Sequence, residues 1–138
     1  MIIWINGAFG VGKTQTAYEL QYQIANSMIY DPEKLGYFLG KCFPKDTGKS
    51  DFQDYRSWRI SVSAILAELA ANSHKIIIVP MTIVNEDYFH EIVDPLMSAG
   101  HQFHNFTCTT LLSLIMEEKC SLAMHALTLR TKKLKLIL

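Results

Sequence analysis

Cysteine is scarce in this chain. Cys42, Cys108 and Cys120 are odd in number, far apart and without C-x-x-C spacing, which excludes a disulfide or zinc framework and suits a reducing compartment. An excess of charge of one sign is also missing. Thirteen Lys and Arg balance thirteen Asp and Glu, so nothing at the level of the whole chain points to nucleic acid or an anionic membrane as partner. No run approaches the roughly 18 apolar residues of a membrane span. The N-terminus lacks the basic region of a secretory leader, and its apolar run breaks at Asn6-Gly7, so a cytoplasmic protein is expected. The five histidines are scattered without ligand spacing, and His101 and His104 read as surface or structural residues. There is no internal repeat and no low-complexity tract.

What is present is an ordinary globular composition, with 49% apolar and 19% charged residues in 138, enough for one domain spanning 1–138 with its own core. The basic residues are unevenly spread. Arg130, Lys132, Lys133 and Lys135 crowd the last nine positions, leaving nine basic against thirteen acidic side chains before them. Such a tail reads as a solvated end, and less readily as a contact with a membrane surface or a partner.

The hydrophobic pattern alternates between two periods. Met1 to Ile5 is continuously apolar and β-prone, as in a parallel strand buried on both faces. Lys13 to Ala25 carries Ala17, Leu20 and Ile24 at helical spacing. "SMIYDP" reads as a short strand stopped by Pro32, and Leu35, Phe38, Leu39 and Cys42 as a short helix. "PKDTGKSD" is a polar loop. Trp58, Val62, Ile65 and Leu69 mark a longer helix, and "KIIIVPM" is a third, buried strand. Asn85 can cap a helix bearing Phe89, Ile92, Val93 and Leu96, with Pro95 as a kink and Gly100 as its stop. "QFHNFTC" reads as a fourth strand, and an apolar helix-prone segment follows from Thr110. Strands alternating with helices at this spacing predict a three-layer α/β domain with a parallel sheet.

Between the first strand and the first helix lies Gly7-Ala8-Phe9-Gly10-Val11-Gly12-Lys13-Thr14, the pattern G-x-x-x-x-G-K-[ST] in the context its mechanism needs. Glycines allow backbone N–H groups to turn inward around an anion, and the following helix N-terminus adds its positive dipole end. Lys13 can reach the β- and γ-phosphates, and the Thr14 hydroxyl can ligate Mg²⁺. The loop is therefore expected to bind a nucleoside triphosphate.

Ligands of open parallel sheets gather at the carboxyl ends of the strands, which singles out Asp31 after the second strand and Thr82 after the third. Asp31 is placed to accept a hydroxyl proton or help hold the metal in phosphoryl transfer; a turn aspartate before proline is the plain alternative. The third strand ends in Pro80, Met81 and Thr82 rather than in a metal-binding acid. That disfavours a motor-type ATPase more than a small-molecule kinase. In "DFQDYRSWR", Arg59 could bind an acceptor or a phosphate, while Trp58 belongs to the core.

Taken together, "MIIWINGAFGVGKTQTAYEL", "YDPEKLG", "DFQDYRSWR" and "IIIVPMTIVNEDYFHEIV" resemble bacterial tunicamycin-resistance ATP-binding proteins, within the P-loop nucleoside-kinase-like group. The resemblance covers about residues 1–107. It implies ATP binding, resistance to a nucleoside antibiotic that blocks lipid-linked sugar synthesis, and a functional carboxylate at Asp31. After Thr107 the match stops. Kinases of this group continue with a helix, an arginine-bearing lid and a fifth strand, whereas this chain offers one helix-like stretch and a lone Arg130. A domain lacking its last strand and lid is therefore expected, from a truncated or frameshifted gene or from a refashioned tail. The leading function is an ATP-dependent resistance protein of kinase-like fold that acts on a small-molecule acceptor or drug. A non-catalytic module sequestering drug or nucleotide is the second reading, and a membrane-surface protein bound through its C-terminal segment is the third.

Overall fold

A computed structural model describes residues 1–109. The apolar segment from Thr110, the basic tail and Cys120 lie outside the described residues. The elements run β1 (Ile2–Gly7), α1 (Lys13–Gln23), β2 (Ser27–Ile29), α2 (Pro32–Cys42), a 3-10 turn (Phe52–Asp54), α3 (Arg56–Asn72), β3 (Ile76–Pro80), α4 (Glu86–Ser98) and β4 (Phe103–Cys108). The described sheet has the order β2-β3-β1-β4, and every pairing is parallel.

The continuous apolar run of β1 follows from its central place. Ile2 and Trp4 face one layer and Ile3 and Ile5 the other, and all four are buried. On the first side, Trp4 meets Phe89 edge-on with ring centroids 6.1 Å apart and packs beside Phe103. The same layer holds Trp58, Val62 and Leu66 of α3 and Ile92, Val93 and Leu96 of α4. On the second side, Ala17, Leu20 and Ile24, from α1 and its C-cap, cover Ile3, Ile5 and Ile78. Each large apolar side chain so buried contributes about 1.5–3 kcal/mol. The sheet between these two helical layers makes the three-layer α/β architecture.

Two local readings are revised. The second strand ends at Ile29, and Pro32 opens a helix rather than only stopping a strand. Asp31 is the N-cap of α2, with the proline just inside the helix, where its missing N–H costs nothing. On α3, Ile65 and Leu69 are only partly buried, and Leu66 takes the core position below Val62. The buried face of α3 also carries Arg59 and Ser63, which apolar periodicity could not assign. The Ser63 hydroxyl donates to the carbonyl of Ile92 at 2.9 Å, tying α3 to α4. Helix α4 begins as expected, with the Asn85 side chain accepting from the Tyr88 N–H, and Gly100 follows it at φ 83°.

Candidate functional site

The loop between β1 and α1 lies at the carboxyl edge of the sheet, as its place after a parallel strand requires. Gly12 sits at φ 92°, ψ 16° as the residue before α1, a left-handed turn that a side chain would strain. Gly7 is constrained from outside as well. A Cβ there would stand 2.6 Å from the carbonyl oxygen of Cys108, its partner in the β1–β4 ladder. Ala8, Phe9 and Gly10 form the exposed tip, with Phe9 97% exposed, while Val11 is half-buried beneath it. Thr14, in the first turn of α1, is exposed.

Lys13 is the distinctive member. It is only 9% exposed, and its Nζ donates to the carbonyl of Ala8 at 2.8 Å. Among the described residues the ion pairs are Arg59–Glu91 and His90–Asp94, so no carboxylate balances this ammonium. A cation withdrawn from water without a counter-charge is costly unless an anion completes it.

The end of β3 is stitched to the loop by side chains. Met81 N–H bonds to the carbonyl of Ile5, closing the ladder. Beyond it, the Thr82 hydroxyl donates to the carbonyl of Gly7 at 2.8 Å. The Asn6 side chain donates to the carbonyl of Ile83 at 2.8 Å and accepts from the Ile83 N–H at 3.0 Å. Asn6 Oδ1 also accepts from the Gly7 N–H at 2.8 Å. The neutral residues where many phosphate-binding folds carry an acid thus hold the first turn of the loop.

Asp31 stands on the same edge, two strands from β1, which at the usual strand spacing is roughly 10 Å away. Its Oδ1 accepts from the Glu33 N–H at 3.0 Å, so one oxygen serves the helix cap. Beside it, the Tyr30 hydroxyl is buried without a hydrogen-bond partner. Burial, with the Asp31 charge adding to it, pushes that phenol up to about 12.

Arg59 lies on the buried face of α3. It is 6% exposed. Its Nε donates to Glu91 Oε2 at 2.8 Å, its Nη1 donates to the carbonyl of Gln53, and its guanidinium carbon lies 4.0 Å from the centroid of the Tyr88 ring. The Arg59 hydrogen bond holds the Glu91 carboxyl below its ordinary range. The guanidinium is engaged by protein partners, because Glu91 on α4 and the 3-10 turn converge on it. Asn6, Gln53, Ile83 and Glu91 escaped the sequence reading altogether. Cys108, buried behind Gly7, has its thiol pushed up by burial, with Thr16 and the Lys13 charge opposing.

No family model and no curated protein sequence matches the chain. Among solved structures, the tunicamycin resistance protein of Deinococcus radiodurans superposes with a TM-score of 0.67 at 33% identity, over 77% of this chain and 60% of that one. The chain is thus similar to that tunicamycin resistance protein in fold and in a third of its aligned residues. The APS kinase CysC of Mycobacterium tuberculosis, as a cysteine-to-alanine mutant, gives 0.52 at 19% identity over 78% of this chain and 73% of that one. The same kinase in complex with AMPPNP and APS gives 0.53 at 16% identity, over 78% and 61%. At these identities the kinases show the fold alone, and the fold is that of P-loop kinases. The chain spans about 60% of the length of its tunicamycin resistance relative. Among the described residues there is no helix long and apolar enough to cross a membrane and no cluster of three metal-ligating side chains.

Proposed function

We propose that this chain is an ATP-binding resistance protein of kinase-like fold, whose cradle is Gly7 to Thr14. The observation that carries the reading is Lys13, a nearly buried ammonium with a backbone carbonyl for company and, among the described residues, no carboxylate. A polyphosphate is the anion that the loop geometry and the helix N-terminus favour. The likeness to a tunicamycin resistance protein, and the fold shared with a kinase solved with AMPPNP and APS, support it. A cytoplasmic setting, where ATP is abundant, goes with this reading.

The donor set is hard and oxygen-based, a Thr14 hydroxyl and an Asp31 carboxylate with one oxygen in the helix cap. It fits Mg²⁺ held chiefly by phosphates and water rather than by an all-protein cage. When bound, Mg²⁺ would neutralise phosphate charge. The chain's own residues would do the rest. Lys13 leaves Ala8 for the β- and γ-phosphates, and Asp31 accepts the proton of an acceptor hydroxyl. That oxygen forms a bond to the γ-phosphorus as the bridging P–O bond to ADP breaks. Arg59 supports this side of the site from behind, through Gln53.

The acceptor is proposed to be a small-molecule hydroxyl, with tunicamycin the first candidate. The second reading is sequestration without transfer, favoured by the neutral end of β3 at Pro80, Met81 and Thr82. Incubation with ATP, Mg²⁺ and tunicamycin, followed by mass spectrometry of the drug, separates the two. A phosphorylated drug establishes transfer. Drug binding by calorimetry with no phosphorylated product establishes sequestration, and neither result leaves the resistance reading without support.

A further inference from the structure

We infer that Gln53 is a positioning residue for the phosphate cradle, acting through Thr82 on Gly7. The inference rests on the nucleotide-binding reading and adds a part of the site that the loop motif does not contain.

The β3 ladder ends with the Met81 N–H on the carbonyl of Ile5; beyond it the N–H of the Thr82–Ile83 peptide rests on the Asn6 side chain, while its carbonyl has no backbone partner among the described residues. The Gln53 side chain supplies a partner, donating from Nε2 to the carbonyl of Thr82 at 2.9 Å. The Thr82 hydroxyl then donates to the carbonyl of Gly7, the first residue of the cradle, at 2.8 Å. Gln53 is itself held at both ends of its backbone. Its N–H bonds to the Asp51 carboxylate at 2.8 Å, and its carbonyl accepts from Arg59, which Glu91 anchors on α4. Three segments distant in sequence therefore converge on one peptide at the root of the loop.

The consequence is preorganisation. A cradle binds phosphate with several backbone N–H groups at once, and its affinity suffers when those groups must first be ordered. Holding the Gly7 carbonyl fixes the direction in which the loop leaves β1. The Gln53 side chain makes this single hydrogen bond, so its removal should spare the core.

The test uses the full 138-residue chain as wild type, Gln53→Ala, Thr82→Val, the double variant and Thr82→Ser. Titration with Mg²⁺-AMPPNP should show each of the first two single variants binding about 2- to 10-fold more weakly, the loss of one net hydrogen bond. The double variant should be no weaker than the worse single one, because the two bonds form one chain. Thr82→Ser, which keeps the hydroxyl, should bind like wild type. Hydrogen exchange without nucleotide is the independent arm: the Gly7 and Ile83 amides, both on Asn6 Oδ1, should exchange faster in Gln53→Ala at unchanged melting temperature. Unchanged exchange at these amides overturns the inference whether or not nucleotide binds, as do fully additive losses or an unchanged affinity in Gln53→Ala. Failure of the wild type to bind, with exchange still faster in Gln53→Ala, overturns the nucleotide reading and confirms the brace alone.

Discussion

Replacing Lys13 by methionine tests the cradle at its most informative atom. Methionine keeps most of the aliphatic stem and removes the ammonium, which lies 2.8 Å from the Ala8 carbonyl in a side chain 9% exposed. Two effects of different size follow. Toward nucleotide, the loss is that of a charge-assisted hydrogen bond, about 1.5–3 kcal/mol, or about 10- to 150-fold in Kd. Toward the fold, the lost bond to Ala8 is offset by no longer burying a cation that lacks a counter-charge. The nucleotide-free stability should therefore change by no more than about 1 kcal/mol in either direction. Calorimetric titration with Mg²⁺-ATP and urea unfolding without ligand measure the two quantities on the same preparation. Unchanged affinity in the folded variant would refute a phosphate role for Lys13. A loss on the order of 3 kcal/mol in unliganded stability would refute the other half, showing that the lysine is there to hold the loop.

Asp31→Asn keeps a good helix cap but removes the charge, so stability should hold while any phosphoryl transfer falls by about 10²- to 10⁴-fold; equal turnover leaves Asp31 as a cap only. Gly36→Ala should be destabilising by about 1–3 kcal/mol in urea unfolding, because its Cβ would stand 2.5 Å from Phe52 Cγ; a gain, the usual result of Gly→Ala in a helix, would show that the ring moves freely. The hydrogen bond that His90 donates to the Asp94 carboxylate raises the His90 pKa. Its contribution is thus fully present below the unfolded value near ~6.5 and is lost as pH rises through the folded value; an NMR titration of Asp94→Asn should show the histidine returning toward that ordinary value. Arg59 lowers the Glu91 pKa, which is the opposite case. Stability from this pair is present above about pH 4.3 and lost as pH falls through the folded value, and Glu91→Gln should flatten that part of an acid-unfolding curve.

The parts of this fold legible in the sequence are those whose cause is local. β1 and β3 showed as unbroken apolar runs because both are flanked by strands and covered on both faces. The loop between β1 and α1 was legible because its glycines and lysine stand within eight residues of one another. The burial of Arg59 was not legible, for the opposite reason. A charged residue beside Arg56 and Tyr55 reads as surface chemistry, and the carboxylate that makes its burial tolerable belongs to Glu91, 32 residues away. The bonds made by Asn6 and Thr82 were hidden in the same way, since their partners lie 77 and 75 positions away along the chain. No periodicity records a hydrogen bond between strand ends. Pro32 was legible as a break, but its role in opening α2 depended on the cap formed by Asp31.

The side chain of Asn6 has a further consequence, which concerns the ageing of the protein. Asn-Gly is the dipeptide in which a side-chain amide is most readily lost, since the unhindered glycine nitrogen can close on the side-chain carbonyl carbon and expel ammonia. Here that amide is gripped at both ends, by Ile83 and by the Gly7 N–H itself, and its backbone lies in an extended strand. Ring closure therefore requires the end of the sheet to come apart. Hydrolysis of the ring would leave an aspartate or isoaspartate, whose carboxylate would face the Ile83 carbonyl in place of a donor. The chain thus carries a chemical clock at the root of its cradle that runs while the sheet end is open. The fraction deamidated at residue 6 in a stored sample would record how long its molecules had spent with that end of the sheet open.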